Sequence, residues 1–331
     1  MPGERDVDLW SLSNLCTPWC VHVVATLRVA EHIGDGNVEI KALGTACQAD
    51  PESLGRVLRH LVGKGLFEEP TSGVFSLNEP ARQLLEPPMR LGLDLDGFGG
   101  RMAHAWGSLL AAVRSGSPAY HTVFGRPFWD DLQAHPEIAE GFDSLMGPPG
   151  HGRPDPNVLL EDDWDSVTTV VDVGGGTGAL LAEVLRDRPS VRGILVDLPS
   201  TVARAGKLLK DAGIADRVMV QGQSFFDPLP SGGDLYLLKS VLSDWPDREA
   251  RLILQRCAEA ARPQGRVVIL NGISPDEAGE PDPELLMMVL VGGKDRSLKD
   301  FRELTLSVGL EVTRAGRRPS GRYTVECTPI R

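Results

Sequence analysis

The stretch VVDVGGGTGALLAEVL, residues 170–185, decides the fold of this chain. A short apolar run that contains Asp172 leads into three alternating glycines, Gly174, Gly176 and Gly178, and a helical pattern follows them. Glycine permits both a tight turn and the close approach of a ligand to the backbone. A strand, a glycine-rich turn and a helix in this order therefore predict a nucleotide-type binding site in an α/β domain.

Two aspartates near this turn favour S-adenosylmethionine over a dinucleotide. The glycine spacing is G-x-G-x-G rather than the G-x-G-x-x-G of dinucleotide sites. Asp172, just before the glycines, would repel a pyrophosphate but suits a ligand that carries a cation or an amino group. Asp197 ends the next predicted strand, about 20 residues on, where it can accept hydrogen bonds from both ribose hydroxyls. The alternative that Asp172 only caps the helix or braces the loop stays open at this point.

The sequence around this motif alternates between strand and helix patterns. Runs such as GILVDL, DLYLLKS and GRVVILNG predict strands, and runs such as GALLAEVLRD and WPDREARLILQRCAEAA predict helices between them. This alternation predicts a Rossmann-like α/β domain over residues 158–331, with a mostly parallel seven-stranded sheet covered on both faces. The helix predicted at 297–308 is followed by two strands, which predicts an antiparallel hairpin on the sheet edge.

The N-terminal part has a different, mainly helical pattern. Apolar residues recur at helical spacing over 8–33, and Pro18 interrupts them, which predicts two helices or a kinked one. Residues 39–65 predict a helix, a turn and a second helix that Asp50 caps, and LFEEPTSGVFSLNE then predicts two short strands. This is a winged-helix pattern, assigned to residues 1–90. It serves either DNA binding or, as we expect for so acidic a chain, dimerisation or a lid.

Residues 91–157 form the predicted helical connector. Its stretch SPAYHTVFGRPFWDDLQAHPEIAEGFDSLM is rich in aromatic residues, although these are only 5% of the chain. Large aromatic and thioether side chains suit a pocket for a flat substrate. The predicted pocket residues are Phe128, Trp129, Phe142 and Met146, with Met287 from later in the chain. The alternative is that they pack between domains, and both roles can hold together.

The totals exclude several classes of protein. The 331 residues carry a net charge of −12, which argues against a partner bound through nucleic-acid phosphates. No apolar run approaches the roughly 20 residues that span a bilayer, and the N-terminus shows no secretory signal. The five cysteines are an odd number without metal-type spacing, so we expect no metal, and Cys16 and Cys20 are expected to pack in the core of a helical face. A reducing cytoplasm fits this cysteine usage.

Several motifs in order along the chain give it a resemblance to a known family. They include TPWCVHVVATLRVAEHI, LRHLVGKGLF, FWDDL, VVDVGGGTG, SFFDPLP, LSDWPD and GGKDRS. The chain resembles the S-adenosylmethionine-dependent O-methyltransferases that include plant caffeic acid-type enzymes and bacterial natural-product enzymes, among them naphthoate O-methyltransferases of enediyne biosynthesis. The resemblance covers nearly the whole chain. It implies a homodimer formed through the winged-helix domain and a methyltransferase acting on a small aromatic or polyketide-type acceptor in antibiotic or other secondary metabolism.

The resemblance also implies roles for single residues. Gly174 and Gly176 would face the methionine part of the cofactor, and Asp197 would face the ribose. Ser224 and Phe225 in QSFFDPLP would flank the adenine. Lys239 would lie beside the cofactor at the end of its strand.

The catalytic positions depart from the family pattern. The family's general base is a histidine, and this chain has Ser243 at that place in LSDWPD. The two acids that orient the histidine correspond to Asn271 and Asp295. A serine hydroxyl is a poor base at neutral pH, and losing general-base help typically costs about 10²–10⁴-fold in rate.

Three hypotheses follow from the missing histidine. In the first, the acceptor needs little help, since proximity alone can drive the transfer. Another base can serve, with His104, His121, His151 and Asp295 as candidates. The protein can also bind S-adenosylmethionine without methylating, as a hydroxylase, a decarboxylase or a pericyclase. Methyl transfer to oxygen is the expected activity, and the non-methylating activities are the alternative.

Overall fold

The structure is a computed structural model that describes residues 8–148, 153–261, 263–274 and 284–330. The chain divides into two compact units, Met1–Ala103 and His104–Arg331. The boundary between them falls inside the predicted connector, so the three-part division at residues 90 and 157 stays a prediction.

The first unit is built from short helices and one small hairpin. Its helices are α1 (Leu9–Ser13), α2 (Cys16–Thr26), α3 (Val29–Gly34), α4 (Ile40–Ala46), α5 (Pro51–Val62), α6 (Glu79–Arg82) and α7 (Pro87–Leu93), and α8 (Phe98–Ala105) ends it. Its strands are β1 (Glu68–Thr71) and β2 (Val74–Ser76). The two helices α4 and α5, followed by an antiparallel β1–β2 pair, confirm the winged-helix pattern.

Local chemistry explains how α5 begins and packs. The Asp50 carboxylate accepts a hydrogen bond from the Ser53 amide at 2.8 Å, and proline occupies the first helical position. Leu54, Leu58 and Leu61 follow at spacings of four and three and are buried. Full burial of a leucine side chain stabilises by about 1.5–3 kcal/mol, so this face fixes α5 on the core of the unit.

Two expectations for the N-terminal helices are wrong. Pro18 does not break the helix, because it is the third residue of α2, where the amide hydrogens have no partner inside the helix. The breaks come at Asn14 and Leu15, between α1 and α2, and at Arg28, whose φ of +54° separates α2 from α3. Cys16 is exposed rather than packed in the core, and its sulfur lies 4.0 Å from that of the half-buried Cys20.

The second unit begins with helices and continues as an α/β domain. The helices are α9 (Leu109–Ser115), α10 (His121–Phe124), α11 (Phe128–Ala134), α12 (Pro136–Met146), α13 (Ala179–Asp187), α14 (Pro199–Val202), α15 (Ala205–Asp211), α16 (Asp247–Ala261), α17 (Glu284–Leu290) and α18 (Leu298–Leu306). The strands are β3 (Thr169–Val173), β4 (Arg192–Asp197), β5 (Val218–Gly222), β6 (Leu235–Lys239), β7 (Arg266–Leu270), β8 (Ile273–Ser274), β9 (Arg296–Ser297), β10 (Leu310–Arg317) and β11 (Tyr323–Pro329).

Seven of these strands form one sheet in the order β10-β11-β7-β6-β3-β4-β5. The five strands from β7 to β5 are mutually parallel, and β11 and β10 add antiparallel pairs at one edge. The predicted mostly parallel seven-stranded sheet and its terminal hairpin are therefore confirmed. Parallel strands place their carboxyl ends at the same edge of a sheet, where ligands bind in such folds.

Both faces of the sheet are covered by helices. Ile253 and Leu254 of α16 belong to the buried cluster on one side, together with Phe301 of α18. Leu181 and Leu185 of α13 belong to the cluster on the other side. Within the described ranges, no helix has the length and apolarity needed to cross a bilayer.

Candidate active site

A cavity of about 530 Å³ lies in the second unit, at the carboxyl ends of β3, β4, β6 and β7. Most of the residues that the sequence predicts for the site border it. These are Trp129, Phe142, Met146, Asp172, Gly174, Gly176, Asp197, Ser224, Phe225, Lys239 and Asn271. The predicted cofactor residues and three of the five predicted pocket residues therefore meet in one space.

The glycine turn after β3 fits tightly against its surroundings. Gly174, Gly176 and Gly178 have φ values of +67°, +61° and +86°, a region that favours glycine. A Cβ atom on Gly175 would lie 2.6 Å from the Asp172 carboxyl group, and one on Gly174 would lie 2.8 Å from the Val241 side chain. Larger residues would close the turn over the floor of the cavity.

Asp172 has one oxygen that the protein leaves without a partner. The side chain is 1% exposed, and its Oδ2 atom has no hydrogen-bond partner among the described residues. Burial raises the pKa of Asp172 to about 7, the Lys239 charge lowers it, and Asp197 raises it. The Leu181 amide in the first turn of α13 also hydrogen-bonds this carboxyl group. Asp172 thus braces the helix, as in the alternative interpretation, and still keeps one oxygen for a cationic ligand.

Asp197 is held by the turn itself. Its Oδ2 accepts a hydrogen bond from the Gly176 amide at 2.8 Å, and its Oδ1 accepts one from the Leu198 amide at 2.7 Å. Burial raises the pKa of Asp197, and these hydrogen bonds act against that rise. Each carboxylate oxygen has a further acceptor position, so the arrangement suits a pair of ligand hydroxyls.

Aromatic rings form another wall of the cavity. Trp129 of α11 stacks on Trp245, with ring centroids 6.0 Å apart and an angle of 17° between the planes. Phe225 and Phe226 meet the Trp245 ring edge-on at 5.9 and 5.0 Å. Such a wall offers flat apolar surfaces to an aromatic ligand.

Two of the predicted pocket residues do not border the cavity. Phe128 is buried behind the wall, where it contacts the edges of Trp129 and Phe142 at 4.8 and 6.0 Å. Met287 is half-buried in α17. Their direct contact with a substrate stays a prediction that the cavity does not support.

The predicted catalytic residues are only partly brought together. Asn271, at the end of β7, borders the cavity and donates from Nδ2 to the Ser240 hydroxyl at 2.9 Å. Ser243 lies beside the cavity wall, with its hydroxyl 3.4 Å from the Ser240 carbonyl oxygen. Asp295 is exposed and does not border the cavity. The catalytic roles of these residues stay predictions.

The histidines offered as alternative bases do not border the cavity where the structure describes them. His104 and His121 are exposed. His151 lies outside the described residues.

Sequence reasoning missed several polar and aromatic residues of the cavity, among them Asp143, Arg204, Asp244 and Trp245. The predicted helical run WPDREARLILQRCAEAA starts at Trp245, whereas α16 begins at Asp247. The position of Asp244 and Trp245 directly after the substituted Ser243 was a usable signal. The missed ion pair between Arg204 Nε and Asp143 Oδ2, at 2.7 Å, joins residues 61 positions apart, and no sequence pattern announced it.

Residues 106–311 match a family described as the O-methyltransferase domain. The chain belongs to this family. A 2,7-dihydroxy-5-methyl-1-naphthoate 7-O-methyltransferase of Streptomyces carzinostaticus is 39% identical over 95% of this chain and 96% of its own length. The aclacinomycin 10-hydroxylase RdmB of Streptomyces purpurascens is 36% identical over 98% of this chain and 89% of its own.

A solved structure agrees with the fold over the whole chain. The O-methyltransferase NcsB1 from neocarzinostatin biosynthesis, in complex with S-adenosylmethionine and 2-hydroxy-5-methyl naphthoic acid, superimposes with a TM-score of 0.92. It is 36% identical and covers 99% of this chain and 100% of its own. The predicted family and fold are thereby confirmed, and so is S-adenosylmethionine as the cofactor that this family uses.

Proposed function

We propose that this protein transfers a methyl group from S-adenosylmethionine to a hydroxyl of a small aromatic or polyketide-type acceptor. The observation that carries the proposal is the cavity itself. One side presents a glycine turn, a half-partnered buried carboxylate and a second acid, and another side presents stacked aromatic rings. Membership in the O-methyltransferase family supports the same chemistry.

The residues around the turn fit the cofactor. The free Oδ2 of Asp172 suits the amino group of the methionine part, and Asp197 suits the ribose hydroxyls. Ser224 and Phe225 border the same space and suit the adenine, and Lys239 lies on the adjoining wall. When bound, S-adenosylmethionine supplies a methyl group on a cationic sulfur. The protein's part is to bind, to orient and to exclude water, which can supply a large share of the rate by proximity.

The aromatic wall supports a flat acceptor. Trp129 and Trp245 present stacked rings, and Phe142 and Met146 complete an apolar surface near them. Two of the methyltransferases similar to this chain act on or bind naphthoate-type compounds, so a bicyclic hydroxyaromatic acid is the first acceptor to test. This places the protein in bacterial secondary metabolism.

We further propose a cytoplasmic homodimer. The exposed apolar side chains of the first unit that support an association surface are Leu9, Trp10, Leu12 and Leu15. All five cysteines are free, which suits a reducing compartment. The net charge of −12 supports the absence of a nucleic-acid partner. Sedimentation should give the mass of a dimer, and Trp10→Lys should shift it toward the monomer.

Mass spectrometry with deuteromethyl-labelled S-adenosylmethionine tests the activity. Incubation with a panel of hydroxynaphthoates and related phenols should produce an acceptor that gains the labelled methyl. The similarity to a 10-hydroxylase makes a gain of oxygen the specific competing outcome. Products that carry oxygen but no label, or cofactor binding without any product, would contradict the proposal.

A further inference from the structure

The turn that connects β6 to α16 brings a carboxyl group to the cavity. A short 3₁₀ turn, Leu242–Asp244, follows the last residue of β6, and the Asp244 side chain borders the same space as Gly174 and Lys239. Its neighbour Trp245 belongs to the aromatic wall. Asp244 therefore shares one cavity with the proposed cofactor residues and the proposed acceptor surface.

Arg296 fixes this turn through hydrogen bonds to its backbone. The Arg296 side chain is buried, and its Nη1 and Nη2 donate to the carbonyl oxygens of Leu242 and Trp245 at 2.6 and 2.7 Å. These two carbonyls flank Asp244 on either side in sequence. The Arg296 Nε atom donates to the exposed Asp247 at 3.0 Å, so the guanidinium has its ion pair there. Asp244 is thus fixed in position by backbone contacts.

Gly293 packs closely against the backbone at Ser243 and Asp244. A Cβ on Gly293 would lie 2.0 Å from the Ser243 carbonyl oxygen and 2.9 Å from the Asp244 Cα atom. Only glycine lets the 292–294 backbone approach the turn so closely. A carboxyl group held this way needs little reorganisation when it accepts a proton.

The charges around Asp244 leave its carboxyl group able to titrate near neutral pH. Burial raises the pKa of Asp244 to about 7, and a hydrogen bond with the Ser243 side chain lowers it. The cations that face the cavity or the turn have acidic neighbours of their own. Arg204 pairs with Asp143, Lys294 and Arg296 pair with Asp247, and Lys239 lies near Asp172. Arg322, on the cavity rim, is exposed. A general base works best when its pKa lies near the working pH.

We infer that Asp244 is the general base that replaces the missing histidine, and that Ser243 is a positioning residue for it. The inference rests on the proposed methyl transfer. The acceptor oxygen forms a bond to the methyl carbon as the carbon–sulfur bond breaks, and that electron pair stays on sulfur. The acceptor proton passes to the Asp244 carboxylate and then to water. Ser243 acts through its hydrogen bond to Asp244 rather than by taking the proton.

The first test compares Asp244→Asn with the natural protein. With a weakly acidic phenol as acceptor, kcat should fall by about 10²–10⁴-fold. The natural protein should gain activity as the pH rises through about 7, and Asp244→Asn should lose this rise. Calorimetric binding of S-adenosylmethionine should be unchanged, and an acceptor already ionised at neutral pH should recover most of the rate. Asp216→Asn, an exposed carboxyl-to-amide change in the 3₁₀ turn Ala215–Arg217, which does not border the cavity, is the matched control.

Two results would overturn the inference. One is an Asp244→Asn protein that binds the cofactor and keeps both its kcat and its pH dependence. The other comes from Ser243→Ala, which removes the hydrogen bond to Asp244 and should move the rise in kcat/KM to higher pH. A rise that stays at the same pH contradicts the pairing of Ser243 with Asp244. This test remains available even if Asp244→Asn does not fold. Failure of the proposed function is distinguishable, because the natural protein would then transfer no label to any acceptor.

A second site lies in the first unit, away from this chemistry. Cys16 and Cys20 are one turn apart on α2, and the ligand atoms of both and of His60 on α5 lie within 4.8 Å of one another. The sulfur atoms are 4.0 Å apart, close to the roughly 3.8 Å that a tetrahedral zinc site with 2.3 Å bonds requires. The Thr17 hydroxyl, 2.9 Å from His60 Nε2, holds the imidazole ring. The geometry points to a site for zinc or another thiophilic cation, with two thiolates, one imidazole and one open position.

Cadmium and zinc titrations of the full chain under reducing conditions test this site. One cadmium ion per chain should give thiolate-to-metal ultraviolet absorption, and an excess of zinc should compete with cadmium and reduce it. Cys16→Ser, Cys20→Ser and His60→Ala should each weaken binding by at least about tenfold, whereas Cys47→Ala, on α4's C-terminal cap, should not. No metal-dependent absorption, or equal absorption in the three variants, would overturn the site.

Discussion

The cofactor side and the acceptor side of the cavity differ in what holds them together. On the cofactor side, the backbone sets the geometry, since the positive-φ Gly176 donates to Asp197 and the neighbouring Gly174 and Gly175 leave no room for a Cβ atom. On the acceptor side, side chains set the geometry, through stacked Trp129 and Trp245 and through the guanidinium of Arg296. A site whose geometry is set by the backbone tolerates few residue types. A site whose geometry is set by side chains can change its chemistry by single substitutions. Ser243, at the place where the family pattern has a histidine, belongs to the second kind.

The largest expected effect is on the cofactor side. Asp172→Asn removes the charge of a carboxyl group whose Oδ2 atom has no partner in the described part of the chain, while it keeps the shape of the side chain. Losing one member of a buried charged pair typically costs about 2–5 kcal/mol, which is about 30- to 4,000-fold in affinity. Calorimetry with S-adenosylmethionine measures the effect, with Asp216→Asn as control. Unchanged affinity would show that Asp172 serves only to brace α13.

The sequence predicted the cofactor side well because its signals are local. A strand, a glycine turn and a helix lie within 16 consecutive residues, and Asp197 ends the neighbouring strand. The sheet followed from the same alternation. The error at Pro18 also has a local reason, since proline is harmless where the first-turn amides have no partner in the helix.

The acceptor side could be predicted only in outline. An aromatic-rich stretch was visible, but sequence alone does not say that Trp129 faces the cavity and the adjacent Phe128 lies behind it. The ion pair of Arg204 with Asp143 and the contact of Arg296 with Leu242 depend on residues far apart in the chain. Asp244 was present in the key motif, but its burial arises from packing by Gly293, which the sequence does not display.

The next largest effect should come from restoring the histidine. Ser243→His places a group with an ordinary pKa near 6.5 beside the cavity, and it should raise hydroxyl methylation. In an Asp244→Asn background, we expect about tenfold recovery, part of the 10²–10⁴-fold that a base supplies, because Asn271 offers no acid to orient the ring. Single-turnover rates on a weakly acidic phenol measure it. No gain in either background would favour a non-methylating activity.

A smaller effect should separate acceptor binding from cofactor binding. Trp129→Leu removes the ring that stacks on Trp245 but keeps an apolar side chain. Aromatic pairs contribute about 0.5–1.5 kcal/mol beyond burial, so KM for an aromatic acceptor should rise by about 2- to 10-fold. The affinity for S-adenosylmethionine should stay unchanged. If both affinities fell together, the two sides would not be independent.

The smallest expected effect is on thermal stability. It tests whether Asp172 on the cofactor side and Asp244 on the acceptor side titrate independently in the protein without ligand. Burial raises the pKa values of Asp172 and Asp244 from 3.8 to about 7. Each protonated carboxyl group therefore contributes stability that is fully present at pH values below the pKa of the unfolded chain. This contribution is lost as the pH rises through about 7. The Tm of the natural protein should therefore fall between about pH 5 and about pH 8. Asp172→Asn and Asp244→Asn should each reduce this fall by a few degrees, since about 1 kcal/mol moves Tm by roughly 2–4 °C. Neither carboxyl group is among the causes that shift the pKa of the other, and the effects of independent sites add, so the double variant should show the sum of both changes. A double variant no flatter than either single one would mean that the two carboxyl groups titrate as a coupled pair, and a natural protein whose Tm rises over this range would contradict the raised pKa values themselves.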